Sequence, residues 1–566
     1  MLTSNLLITR SAMRSVIRSV IRSDMLATLT LRNLLPLSSI FLSMCCVFVA
    51  AMPATGRAVT QSLATNALSI GNGGEPETLD PHRYNLRLEE TILSDLFLGL
   101  TTFDAHGKTI PGAAERWDIS TDGLTWTFHL RPNLKWSDGV ALTAEDFVYS
   151  LRRTVDPKTA ASLAYFLYPI ANANAVNSGK QLPEALGVKA LNGSTLVIRL
   201  ANPDPFFAER LMYPTGYPVP KHLIDKLGDS WAKAGTMVSN GAYTLTEWVP
   251  HGHITLKKNP RFYDAGNVHI DQVVYYPTDD ELAAFNQFRA GELNAIGSFP
   301  SGQLDAMRAT QPKALRLSPL LSIMYLVFNV TSQPFNDVRV REALAIAIDR
   351  DILTSKVMRT GEVPQFSFVP SLVENYQAEK VGHSKTPRAE RLARARALLA
   401  QAGFGPTKPL KLQLRYISGN DNKKVHVAIA AMWKDIGVET ELFHSELKVH
   451  FAELREGQFQ VAQAGWFGEN NPGHYLSLLR SGTGNVNYGR FSSAQYDSLM
   501  NQADRTAALP ARLALYQQAE ALAMKELPVI PLYAVMIRSL VDPRITGWVD
   551  NARNVHNVRW LGWRAR

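Results

Sequence analysis

Few stretches of the chain combine residue types that do chemistry. His251 and His253 form an H-x-H pair between AYTLTEW and HITLKKN. A metal site would need a third ligand and an oriented outer shell, so two solvated histidines on a turn are expected. The GNGG at 71–74 has the glycine content of a phosphate loop. It is followed by Glu75, Pro76 and Glu77 rather than by a helix start with free N–H groups, so a strand-to-loop bend is expected. Neither G-x-x-x-x-G-K-[ST], G-x-S-x-G nor H-E-x-x-H occurs, which argues against nucleotide hydrolysis, a nucleophile elbow and a zinc-protease helix. The basic clusters, Arg388–Arg396 and Lys423–Lys424, are expected to be solvated faces, because the first alternates Arg with Leu and Ala along a helix.

The elements that would carry these residues are mixed. TWTFHL (125–130) places Trp126, Phe128 and Leu130 on one face at period two. STLVIRL (194–200) reads as a second strand, entered through Asn192 and Gly193. AYTLTEW and HITLKKN read as a hairpin. Thr143 before AEDFVYSLRR predicts an N-cap with acids in the first turn, where Asp146 can complete a capping box only weakly. Arg388–Ala402 puts Leu392, Ala395, Leu398, Leu399 and Ala402 on one stripe, stopped by Gly403. Leu509–Glu526 is a further long helix. Together these indicate α/β domains.

Size and charge sharpen the picture. The chain has 566 residues, 46% hydrophobic and 19% charged, which excludes global disorder. Its formal charge is +9, but residues 1–58 contribute six Arg against the single acid Asp24, and they also hold both cysteines, Cys45 and Cys46. The remaining residues are only mildly basic and cysteine-free, so neither a nucleic-acid footprint nor a disulfide scaffold is supported. A basic stretch, the apolar run IFLSMCCVFVAA (40–51) and small residues after it follow the order of a secretory signal peptide. Twelve apolar residues are few for a membrane span; a retained anchor is the alternative. The recurrence of Arg10, Arg14, Arg18 and Arg22 also resembles a transit peptide, and a start at Met25 is the simpler account. No linker or low-complexity tract interrupts residues 59–566, so several domains must pack directly together.

GNGGEPETLDPH (71–82), LFLGLTTFDAHGKTIPGAAERWDIS (96–120) and TWTFHLRPNLKWSDGVALTAEDFVYSLRRTVDP (125–157) resemble the family 5 extracellular solute-binding proteins of ABC importers. So do SNGAYTLTEW (239–248), PFNDVRVREAL (334–344), AIDRDIL (347–353) and AGWFGENNP (464–472). The resemblance implies an α/β, two-lobed, hinge-bending periplasmic binding protein of the cluster C type, with an extra small domain. By the motifs, lobe I takes 59–97, 221–321 and 537–566, the extra domain 98–220, and lobe II 322–536. It further implies a periplasmic, monomeric receptor that captures oligopeptides or peptide-like solutes by lobe closure and delivers them to the membrane subunits of an importer, without cofactor, metal, nucleic acid or catalysis. The alternatives are an exported peptide or glycan hydrolase, for which no nucleophile–base pair or paired carboxylates stand out, a receptor of the same fold for a non-peptide solute, and a chaperone or sensor.

Residue by residue, the resemblance puts the ligand-ammonium carboxylate at Glu469, where the family has Asp, with Asn470 beside it. Trp466 and Tyr325 take pocket-lining positions, with core packing as the alternative for each. Asn85 to Arg87 match the segment beside the ligand, and Tyr165 stands near a family Tyr whose own position is Leu163. Gln463, Val327 and Leu447 replace a family Arg, acid and Trp. The pocket is therefore rewritten on a kept scaffold, and Glu469→Ala is expected to weaken a peptide with a free N-terminus more than an N-acetylated one.

Overall fold

The computed structural model describes residues 66–564 except 379, 381, 383, 384, 484 and 485. The signal-like segment 1–58 lies outside the described residues. Three sheets organise the rest. The seven-stranded sheet runs Leu315–Pro319, Met536–Val541, Ala295–Ile296, Ala67–Gly71, Gln272–Tyr276, His253–Lys258, Tyr243–Val249. Its centre is parallel: Ala67–Gly71 pairs with Gln272–Tyr276 on one side and Ala295–Ile296 on the other. The six-stranded sheet runs Val363–Pro364, Val529–Ala534, Ser322–Phe328, Val461–Phe467, Leu410–Ile417, Val438–Ser445. The four-stranded antiparallel sheet runs Ala114–Ile119, Thr125–Leu130, Thr195–Arg199, Val188–Asn192.

The apolar cores show which sheets belong together. Leu68, Leu256, Val273 and Val541 of the seven-stranded sheet share one continuous core with Trp126, Phe128 and Leu196 of the four-stranded sheet. Leu326, Leu414, Val461 and Ile530 of the six-stranded sheet lie in a separate core whose buried members span residues 321–533. Two bodies with their own cores can move against each other without exposing either. The chain passes between the two large sheets between Pro319 and Ser322, and again between Ala534 and Met536. There Leu320 N–H donates to the Val535 carbonyl at 2.8 Å, and Val535 N–H to Ser322 Oγ at 2.9 Å. The two crossovers are thereby bonded to each other. This is the two-lobed solute-binding fold with a small extra domain built on one lobe.

Local structure follows the sequence patterns. Trp126, Phe128 and Leu130 are buried while their alternate neighbours are half-buried. Tyr243–Val249 and His253–Lys258 form the hairpin. The helix Arg388–Gln401 buries Leu392, Ala395, Leu398 and Leu399, and Gly403 follows at φ +87°, a conformation that favours glycine. Its arginines are tied to neighbouring elements: Arg388 to Asp435 at 2.6 Å, Arg391 to Asp349 at 3.0 Å, Arg394 to Glu342 at 2.6 Å. In the helix Ala144–Val155, Asp146 Oδ2 accepts from both the Thr143 N–H and its hydroxyl at 2.8 and 3.0 Å. Asp146 thus closes the start of the helix onto its N-cap residue. GNGG ends the strand Ala67–Gly71 and bends, with Gly73 at φ +78°. Glu75 just after it accepts from Trp248 Nε1 at 2.8 Å and from His251 N–H at 3.2 Å. His253 Nε2 meets Glu247 at 3.0 Å. Among the described residues no group of His, Cys, Asp and Glu is arranged to hold a metal, and no helix is long and apolar enough to cross a membrane.

Candidate functional site

A buried carboxylate organises the first wall of the site. Glu89, in the first turn of the helix Arg87–Leu96, is fully buried. Its oxygens accept the N–H groups of Glu77 and Asn85 at 2.8 Å, Leu86 at 3.0 Å and Thr78 at 3.1 Å. One side chain therefore satisfies four backbone donors and holds the 77–86 loop on the helix start. The loop is also clamped by Arg153, whose two amino groups reach Asp80 at 3.0 and 2.6 Å and whose Nη1 lies 2.9 Å from His82 Nδ1. Burial, reinforced by Arg153, lowers the His82 pKa to about 4. The neutral ring accepts from Arg153 through Nδ1 and donates through Nε2 to the Tyr217 carbonyl at 3.0 Å. Burial alone would raise the Asp80 carboxyl, but the guanidinium outweighs it and the net shift is downward.

This frame presents Asn85 and Arg87. Asn85 Oδ1 accepts from the Ser162 hydroxyl. Arg87 pairs with Glu90 at 2.9 Å and donates to the carbonyls of Arg553 and Asn554 at 2.6 and 3.0 Å. The C-terminal segment is itself docked on this helix, since Asp95 Oδ1 accepts the Val558 N–H at 2.9 Å. Asn551 Oδ1 accepts the N–H groups of Arg553 and Val555 at 3.2 Å, which shapes the bend that carries Arg553.

The second wall comes from the six-stranded sheet. Trp466 lies near the end of the strand Val461–Phe467, half-buried, with its ring edge-on to His474 at 5.7 Å. The turn after it is tight: a Cβ on Gly468 would stand 2.5 Å from the Tyr475 ring. Asn470 Oδ1 accepts from Glu374 N–H at 2.7 Å, and Asn471 caps the helix Pro472–Leu476 through Gly473 N–H at 2.9 Å. Glu469 is thereby aimed across the cleft, where its Oε2 accepts from the Tyr213 hydroxyl at 2.5 Å and from the Arg553 guanidinium. The other end of that guanidinium pairs with Glu209, from the short helix Phe207–Arg210.

Electrostatics follow the geometry. Burial opposes ionisation of Glu469, but Arg553, with help from the Tyr213 hydroxyl, holds its carboxyl below the ordinary range. Burial raises Glu209 and Glu90. His474 is lowered by burial to about 4, so its neutral Nδ1 accepts from Glu469 N–H at 3.1 Å. Tyr165 is 45% exposed and lies on Phe166 at 4.9 Å, which in turn packs on Tyr213 at 5.3 Å. Its hydroxyl is raised by partial burial and by the charge of Glu469. Below Arg87 a cavity of about 500 Å³ opens, lined by Ile70, Leu86, Leu88, Ile296, Trp548 and His556 among others.

The structure thus brings Glu469, Arg87 and Tyr165 to one place, with Asn85 on the adjoining loop and Trp466 and Asn470 flanking Glu469. Tyr325 goes elsewhere. Both faces of its strand are covered, and it is 3% exposed in the core of the six-stranded sheet, edge-on to Phe368 at 5.2 Å. Gln463 is buried as well, accepting from Ile417 N–H and donating to Asn422 Oδ1, both at 3.0 Å. Arg553, Glu209, Tyr213 and His474 were not singled out by the sequence, because only His474 is a near neighbour of Glu469 along the chain.

Comparison with known proteins agrees with this architecture. Residues 108–487 match the model for bacterial extracellular solute-binding proteins, family 5 middle. The chain is 38% identical to the probable deoxycholate-binding periplasmic protein YgiS of Escherichia coli over 91% of this chain and 96% of that one. It is 37% identical to the periplasmic oligopeptide-binding protein OppA of Escherichia coli, covering 86% and 92%. The solved unliganded open form of the periplasmic murein tripeptide-binding protein MppA superposes with a TM-score of 0.79 at 35% identity, over 88% of this chain and 97% of that one. By this match in sequence and in fold, the chain belongs to the family 5 bacterial extracellular solute-binding proteins.

Proposed function

We propose that the protein is the solute-binding component of an ABC importer, which captures oligopeptides or peptide-like solutes in the periplasm by closing its two lobes. The observation that carries this reading is the convergence of Glu469, Arg87 and Tyr165 from three differently built parts of the chain onto one cleft. Lobe I comprises 59–97, 221–321 and 537–566, the extra domain 98–220 and lobe II 322–536; the bonded crossovers near Leu320 and Val535 act as the hinge. Asn85, Arg87 and Tyr165 on one side and Trp466, Glu469 and Asn470 on the other line the ligand. Strand-like hydrogen bonds to a peptide backbone give affinity without reading its sequence, and bridging water in roomy pockets tolerates varied side chains. The protein acts as a monomer, performs no catalysis, binds no nucleic acid, and reaches the periplasm through its N-terminal segment. Incubation with a peptide mixture followed by native mass spectrometry tests this. Intact peptides recovered on the protein support a receptor; cleaved peptides point to a hydrolase, and no bound peptide refutes the reading.

A second reading, a receptor for a non-peptide amphipathic solute, is favoured by the cavity beneath Arg87, whose lining mixes apolar Ile70, Leu86, Leu88 and Ile296 with polar and charged groups. It would show as a bile-acid-like amphiphile co-purifying in place of peptide.

A further inference from the structure

The carboxylate at 469 already has a cation, and it comes from the chain itself. Arg553 lies between Glu469 and Glu209, its side chain only 9% exposed, and the Tyr213 hydroxyl shares Glu469 Oε2 with it. The neighbouring carboxylates also have guanidinium partners. Glu90 pairs with Arg87 at 2.9 Å, and Asp204 meets Arg210 at 3.0 Å and Arg512 at 3.8 Å. Arg87 thus serves Glu90, Arg210 and Arg512 serve Asp204, and Arg553 is shared by Glu209 and Glu469. A ligand ammonium brought to Glu469 would place a second positive charge beside Arg553 in a mostly buried cluster, in competition for the same carboxylate. Buried charge without a partner is strongly unfavourable. A neutral N–H adds no such charge, and it can still donate to a carboxylate oxygen.

We propose that the solute bound here presents a neutral end, not a free ammonium, to Glu469. The class is N-blocked peptides and peptide-like solutes that carry an amide or hydroxyl at this position. The inference rests on the peptide-receptor reading above and specifies its ligand. Arg553 is then a specificity-determining residue: it occupies the electrostatic place that an α-ammonium would otherwise fill.

The test is calorimetry of the mature protein with trialanine and N-acetyl-trialanine, repeated on Arg553→Met. The wild-type protein is expected to bind the acetylated peptide as tightly as the free one or more tightly. Arg553→Met, which leaves Glu469 without its cation, is expected to shift the ratio at least tenfold toward the free amine, about 1.4 kcal/mol. Should Arg553→Met not fold, the wild-type ratio alone decides. A tenfold preference of the wild-type protein for the free peptide overturns the inference while leaving the receptor reading in place. Binding of neither peptide, by protein with a normal unfolding transition, overturns the receptor reading and this inference with it.

Discussion

The buried histidines predict how the fold responds to acid. His426 lies in the helix Asn420–Lys434 and is 1% exposed. Its Nδ1 donates to the Asn422 carbonyl at 2.7 Å, and its ring stacks on Tyr416 at 4.7 Å with the planes 10° apart. Nε2 is buried with no hydrogen-bond partner among the described residues, so a second proton on the ring would have no acceptor there. Burial, opposed by the Asn422 carbonyl and aided by nearby His450, lowers the pKa from 6.5 to about 4. The sign follows from linkage. A depressed folded pKa means that the unfolded chain takes up the proton first, so stability is fully present above about pH 6.5 and falls as pH drops toward 4. With those two values the loss between pH 7.5 and pH 5 is about 2 kcal/mol for His426 alone. Urea unfolding at the two pH values, in the wild-type protein and in His426→Phe, isolates the term. Phenylalanine keeps the stack on Tyr416 and removes the titration. The wild-type protein should lose about 2 kcal/mol more than the variant on acidification. Equal losses in both would refute the claim that a neutral, proton-excluding ring holds this position.

Other consequences are open to measurement. Arg153→Met leaves Asp80 and His82 buried without their shared partner and should destabilise the protein by about 3–5 kcal/mol, whereas the double change Arg153→Met with Asp80→Asn should recover much of that in chemical denaturation. Gly468→Ala drives a Cβ into the Tyr475 ring; the expected cost is about 1–3 kcal/mol in unfolding, together with weaker solute binding because Glu469 is re-aimed. Glu469→Gln should weaken free and N-acetylated trialanine by similar factors in calorimetry, since the cation it loses is Arg553 rather than the ligand.

Much of the architecture was legible along the chain because its causes are local. Trp126, Phe128 and Leu130 alternate because successive strand side chains point to opposite faces, and Leu392, Ala395, Leu398 and Leu399 recur because helical neighbours are three and four apart. The family likewise shows in contiguous motifs. The site is different in kind. Glu469 stands 256 residues from Tyr213 and 84 from Arg553, and no periodicity reports contacts at such separations. The sequence supplied the carboxylate and its motif; only the packing of two lobes and the C-terminal segment gave that carboxylate an arginine from within the chain. Tyr325 shows the same limit from the other side. Its strand carries an almost unbroken apolar run, IMYLVF, which does not say which face meets the cleft. The tertiary structure decided it, by covering both faces of that strand and leaving the tyrosine in the core.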